Sequence, residues 1–311
     1  MMTSKIFSIF MAFVLLVGFY TPVSASGTDW QDAKEASLNW LIANTAPGPT
    51  VGPVGGEWTV IALARAGRVD ASSPQMRAYL RGLNRALRLD GGDLRRFTDF
   101  QRVALALTSL GFDPTDYQGR DLLAEYRTFV PFAQRNSANQ TINADIFALI
   151  TLDAGGFEGD RDAYIRSILD AQRTNGTWGL GTTTMPLDVD TTAMAIQALA
   201  PYYGDNAAVT AAVDRALGWL RGRTLSDPEG VAQMIVALAA LAALGNDFAD
   251  EAGEYVSLLM RSFDARSGAF RRAPGGPINM MTTEQAAYAL VAYYRMINGM
   301  TALYDMRDLF E

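Results

Sequence analysis

Leu187-Asp188-Val189-Asp190-Thr191-Thr192-Ala193-Met194-Ala195-Ile196-Gln197-Ala198-Leu199-Ala200 opens on polar and acidic residues, runs on through small apolar ones, and is closed shortly afterwards by Gly204. The same design recurs along the chain and closes at Gly67, Gly111, Gly155, Gly204, Gly245 and Gly299. A spacing of roughly 45 residues is the length of one helical hairpin. Hairpins repeated at that period stack so that each buries a face its neighbour exposes.

Two kinds of helix alternate within the period. The first is amphipathic: across 30–44, Trp30, Ala33, Ser37, Trp40 and Leu41 share a face while Asp32, Lys34 and Glu35 point elsewhere. The stretch 74–89 repeats it with Met76, Tyr79, Leu80, Leu83 and Leu87, and Ser73-Pro74 is a suitable start. Stretches 119–130, 161–172, 207–222 and 247–263 complete this set. The second kind is apolar nearly all round and rich in alanine. It covers Glu57–Ala66, Phe100–Leu110, Ala144–Ala154, Asp190–Ala200, Glu229–Leu244 and Thr283–Asn298. A helix without a wet face must be surrounded by protein. The expectation is an all-α fold, an α6/α6 toroid with six inner and six outer helices. Closure requires residues 30–67 to pack against the last inner helix near Tyr288 and Leu290. The alternative, an open solenoid, would need polar terminal repeats, and none is evident.

Lys5, the apolar run Ile6–Tyr20 and Val23-Ser24-Ala25 read as a secretory signal over residues 1–25, leaving one toroid domain over 26–311. The expected location is secreted or cell-surface, with no membrane span after cleavage; an uncleaved segment would be an anchor instead. The chain has no cysteine and no histidine. That excludes disulfides, thiolate or imidazole zinc sites, cysteine nucleophiles and a serine–histidine triad. The net charge is −7 and the basic residues are dispersed, so nucleic acid is not an expected partner.

Each alanine-rich helix begins near a polar group: Glu57, Asp99 and Gln101, Asp145, Asp190, Glu229 and Gln233, Glu284 and Gln285. In parallel inner helices these ends converge on one mouth. Trp58, Phe147, Met194, Met234, Tyr288 and Tyr293 or Tyr294 would line an apolar funnel beneath it. The ligand-cavity candidates are therefore Glu57, Trp58, Asp145, Trp178, Gln233, Glu284 and Tyr288. Structural roles stand beside these. Asp190 is a good N-cap for a helix opening at Thr191, Glu57 and Glu284 can bridge helices, and Trp178 can plug a joint. Asp188-Val189-Asp190 supplies too few oxygens for calcium, and no metal or cofactor is expected.

Gln172-Arg173-Thr174-Asn175-Gly176-Thr177-Trp178 has the form Q-x3-G-x-W, with weaker versions at Gly156-Phe157 and Gly268-Ala269-Phe270. It resembles the QW repeat of the terpenoid cyclase/protein prenyltransferase superfamily of α/α toroids. The stretches 55–67, 188–199 and 281–290 resemble exported bacterial proteins with prenyltransferase/squalene-oxidase repeats, whose fold is similar to the helical domain of transcobalamin and intrinsic factor. In the cyclases the middle acid of D-x-D-D protonates an alkene. Asp188 and Asp190 match the first two acids, Asp190 falling on the donor's position, and Thr191 replaces the last. The zinc set of the prenyltransferases, which includes cysteine and histidine, has no counterpart.

The expected function is a secreted or cell-surface binding or interaction module without catalysis. Its partner would be a small hydrophobic molecule, a glycan or a cell-envelope protein. The alternatives are a terpenoid-cyclase-like enzyme acting through Asp190 with Asp188, a carbohydrate-active enzyme using rim carboxylates, and cobalamin-type cofactor binding.

Overall fold

The computed structural model describes residues 29–88, 94–136, 139–180, 189–245 and 247–310. Its helices are, in chain order, α1 (Trp30–Asn44), α2 (Glu57–Arg65), α3 (Pro74–Arg88), α4 (Phe97–Ser109), α5 (Ala124–Arg127) and α6 (Ile142–Ala154). They continue with α7 (Arg161–Asp170) and α8 (Val189–Leu199), α9 (Ala207–Arg221) and α10 (Pro228–Ala242), then α11 (Ala249–Leu259) and α12 (Met280–Ile297). Between the last two, β1 (Phe263–Asp264) and β2 (Ala269–Phe270) form a small antiparallel ribbon.

The even-numbered helices form a closed circuit. α2 packs on α4, α4 on α6, α6 on α8, α8 on α10, α10 on α12, and α12 returns to α2. Composition explains their place. In α10 every residue from Pro228 to Ala239 is buried, and its small side chains let neighbours approach on several sides. By contrast α3 buries only Met76, Tyr79, Leu83 and Leu87, a single stripe, and stays outside. The first hairpin meets the last inner helix as closure demands: α1 and α2 both pack against α12.

Two departures from the sequence pattern have local causes. Of the outer helix expected over 119–130, only one turn forms, α5, flanked by 3-10 turns at Pro114–Asp116 and Phe132–Gln134. Gly119 lies at φ 73° before it and Pro131 follows it, so the helix propagates in neither direction. The third repeat also shifts its closing turn. Gly67 closes the first at φ 67°, but in the third Gly155 is at −115° and Gly156, at 68°, takes the left-handed position.

Residues 299–310 form a strap, unforeseen in the sequence, across the carboxyl ends of the inner helices. Leu303 and Met306 are buried, and the Met306 N–H donates to the Ala154 carbonyl at 2.8 Å. At the other side Arg65 donates to Thr301 Oγ1 (2.8 Å) and to the carbonyls of Ala302 (3.0 Å) and Asp305 (2.8 Å). Arg295 donates to the Arg65 carbonyl at 3.1 Å. Among the described residues no helix is long and apolar enough to cross a membrane. The expected signal segment, 1–25, lies outside them.

Candidate functional site

The amino ends of the inner helices do meet one another, and their polar groups are spent on the meeting. Glu57 accepts from Arg102 Nε of α4 (2.7 Å), from the Tyr79 hydroxyl of α3 (3.2 Å) and from the Gly52 N–H. Gln101 donates to the Ala144 carbonyl of α6 at 2.8 Å. Asp145 holds Arg135 at 2.7 Å and accepts from Ser167 of α7 at 2.6 Å. Glu229 accepts from Thr282 of α12 at 2.7 Å. Gln233 takes a hydrogen bond from Gln197 of α8 (2.9 Å) and donates to Gln285 Oε1 (3.0 Å) and to the Tyr288 hydroxyl. Glu284 accepts from Thr59 Oγ1 (2.5 Å) and the Gly55 N–H (2.9 Å), fastening α12 to α2.

Burial raises the carboxyl pKa of Glu57 and Asp145 in spite of their arginines, and raises that of Glu284, which has only neutral donors. A carboxyl whose folded pKa exceeds its unfolded value holds more protons in the native state, so stability falls as pH rises from the unfolded pKa through the folded one. Glu284 Oε2 is also buried without a partner among the described residues. We therefore expect Glu284→Gln to remove part of the pH dependence: relative to the parent it gains stability on going from pH 5 to pH 7.5, measured by urea unfolding. A parallel pair of pH profiles would show that Glu284 is ionised as easily in the fold as out of it.

The aromatic candidates divide. Trp58 of α2 reaches Phe147 of α6 (centroids 5.6 Å) and Tyr288 of α12 (6.1 Å), so three inner helices put rings together. Tyr293 and Tyr294 do not join them. Tyr293 edges onto Trp30 of α1 at 5.0 Å and Tyr294 lies under the Lys34 ammonium, because α1 packs on that side of α12. Met234 is fully buried, and Met194 only partly.

Trp178 is also fully buried, at a joint rather than at a mouth. Its Nε1–H donates to the Ile168 carbonyl at 2.6 Å, and its backbone N–H and carbonyl both bond Thr192 Oγ1 at 3.1 Å. Gln172 ties the same turn to α9 through the Ala212 carbonyl at 2.8 Å. At the weaker motif the device repeats: the Phe270 N–H donates to Thr283 Oγ1 at 3.0 Å, and Phe270 is buried. Thr192 and Thr283 thus serve as latches. The signal for them was the Thr-Thr pair that opens both inner helices, 191–192 and 282–283.

Asp190 stands inside the first turn of α8, not at its N-cap, because the helix starts at Val189. First-turn N–H groups lack intrahelical acceptors, so an acid is favoured there as well. It is partly buried, and its Oδ1 lies where a side chain on Gly230 of α10 would come within 2.9 Å. Its charge also helps raise the Tyr288 phenol pKa, behind burial. Asp188 lies outside the described residues. Among those described, no cluster of three or more acids could hold a metal ion.

A hollow lies at the opposite end, under the strap. A chamber of about 560 Å³ is bounded by the carboxyl-terminal halves of α6, α8 and α10 and by residues 299–307. Its walls are mainly apolar, among them Ile150, Ala198, Val236, Ala240 and Leu303. Gln197 and Tyr304 are among its polar lining residues, with Asp153, Arg161, Tyr202 and Arg307, and the exposed Leu244 and Met300 also line it. The ligand-cavity candidates expected at the amino ends do not line this chamber. Arg65 and Arg295, charged groups near the ends of apolar helices, were the available sign that polar chain would cover this end.

Among solved structures the chain is similar to ent-copalyl diphosphate synthase from Streptomyces platensis, at 20% identity and a TM-score of 0.51. The match covers 76% of this chain and 49% of that one, so this chain spans about half the synthase. It is also similar to Candida albicans protein geranylgeranyltransferase-I complexed with GGPP, at 12% identity and a TM-score of 0.56, covering 86% of this chain and 92% of that one. No family model and no curated protein matches. The likeness establishes the fold alone, an α/α toroid.

Proposed function

We propose that this toroid is an exported binding module and not a catalyst. The observation that carries the reading is the employment of its acids. Glu57, Asp145, Glu229 and Glu284 are buried and engaged with neighbouring helices or loops. A glycosidase needs two carboxyl groups facing one sugar from opposite sides, and a buried bridging carboxylate offers no such access. A cyclase would have to rely on Asp190, whose motif carries Thr191 where a further acid would stand.

Asp190 is the observation that favours the second reading, since it is partly exposed and its charge acts on Tyr288, which lies near Trp58. The test compares protein recovered from culture medium with its Asp190→Asn variant, each incubated with squalene and with C15 and C20 isoprenoid diphosphates. We expect a mature N-terminus at or near Ser26 by mass and no cyclised product by gas chromatography from either. A cyclic hydrocarbon or diphosphate that appears with the parent and is lost in Asp190→Asn would replace binding with catalysis.

A further inference from the structure

We propose that the chamber beneath the strap is a binding site for a neutral, largely apolar small molecule bearing a single hydroxyl or comparable hydrogen-bonding group. This rests on the binding reading above and adds to it the place and the ligand class. Size and wall chemistry come first. About 560 Å³ is within the range of sites that take small molecules, and a mainly apolar lining with few polar points is their usual composition. The exposed Leu244 and Met300 continue the apolar surface out to the lip, which suits entry of a hydrophobic body.

The polar points define the head group. Gln197 is about nineteen-twentieths buried, at 5% exposure, and its Oε1 has no partner among the described residues while its amide is held by Gln233. The hydroxyl of Tyr304 likewise makes no hydrogen bond among the described residues, and that side chain reaches close enough to Tyr288 to help raise its pKa. A buried polar atom left without a partner is costly, so Gln197 Oε1 presents an acceptor that a ligand hydroxyl can satisfy, and the partly buried Tyr304 adds an accessible hydroxyl beside it.

Charge excludes an ionic head. The charged residues around the chamber are already matched: Arg161 with Asp153 at 2.7 Å, and Arg307 with Asp305 at 2.8 Å. Asp153 further accepts from the Tyr202 hydroxyl at 2.8 Å. A carboxylate or diphosphate would have to break one of these pairs or stay desolvated without a counter-charge.

The experiment measures binding of 1-decanol and of decanoate to the purified mature protein by calorimetry, with Tyr304→Phe, Gln197→Leu and Ala240→Phe as variants and thermal unfolding as the check on folding. Decanol is expected to bind, and decanoate at least about tenfold more weakly. Tyr304→Phe is expected to weaken decanol about fivefold to tenfold, the worth of one hydrogen bond. Ala240→Phe, which fills the chamber wall, should abolish binding in a protein that still melts cooperatively. If Ala240→Phe does not fold, Gln197→Leu and Tyr304→Phe decide. Decanol binding unchanged in all folded variants, or no decanol binding by the parent, overturns the site. Equal affinity for decanoate overturns the neutral head group. None of these results depends on turnover, so the site can fail while the non-catalytic reading stands, and the reverse.

Discussion

Arg135→Met is expected to lower unfolding free energy by about 3–5 kcal/mol at neutral pH, because it leaves a buried carboxylate without its counter-charge. The side chains of Arg135 and Asp145 are 1% and 0% exposed and 2.7 Å apart. Ser167 supplies the acid's other bond, and the guanidinium stacks over Phe132 and Phe129 at 4.6 and 5.3 Å. Burial already raises the Asp145 pKa, and removing Arg135 takes away the positive charge that lowers it. In the variant the folded pKa therefore moves further above the unfolded one. Stability is retained while the acid is protonated and lost as pH rises through that window, so the deficit shrinks towards pH 4.5. Adding Asp145→Leu removes the stranded charge and is expected to recover most of the loss at pH 7. Urea unfolding of the parent, Arg135→Met and the double variant at both pH values measures this. A double variant no more stable than the single would mean that Arg135 acts through packing on the phenylalanines rather than through its charge.

Trp178→Ala is expected to cost about 3–5 kcal/mol, the usual loss for a buried aromatic replaced by a methyl group. The ring is fully buried, and its N–H satisfies the Ile168 carbonyl at the end of α7. Trp178→Phe restores most of the volume but not that bond, so a smaller loss of roughly 1–2 kcal/mol is expected. The same denaturation series reads both. A ligand-facing tryptophan would behave otherwise, with Trp178→Ala changing stability by less than about 0.5 kcal/mol, as surface substitutions do, while ligand affinity fell.

The origin of the joint shows how far local pattern reaches. Q-x3-G-x-W is legible because each part has a local job: Gly176 takes φ 87° with the Arg215 carbonyl 2.8 Å from where a Cβ would stand, and Gln172 bridges backbone carbonyls. The candidate site was less legible. An acid at the start of an apolar helix looks the same in sequence whether it faces a cavity or a neighbouring helix. In sequence Glu57 and Glu284 read as inner-helix residues capable of either role. Only the positions of Arg102, Tyr79 and Thr59 around them assign the bridging one.

By itself the sequence determined the alternation of wholly apolar and one-sided helices, and with it the toroid. That information is periodic and local, since whether a helix has a wet face is decided by residues three and four apart. It also determined which chemistries the chain lacks, because no fold can supply a missing thiol or imidazole. Tertiary structure alone decided where the hollow lies. The strap at 299–310 has no period to betray it, and its anchors, Arg65 and Arg295, are some 230 residues apart in sequence, as recorded by the bond from Arg295 to the Arg65 carbonyl. Closing the ring brought those two guanidinium groups together, and their shared need for acceptors holds the strap over the carboxyl ends of the inner helices, with the chamber beneath it.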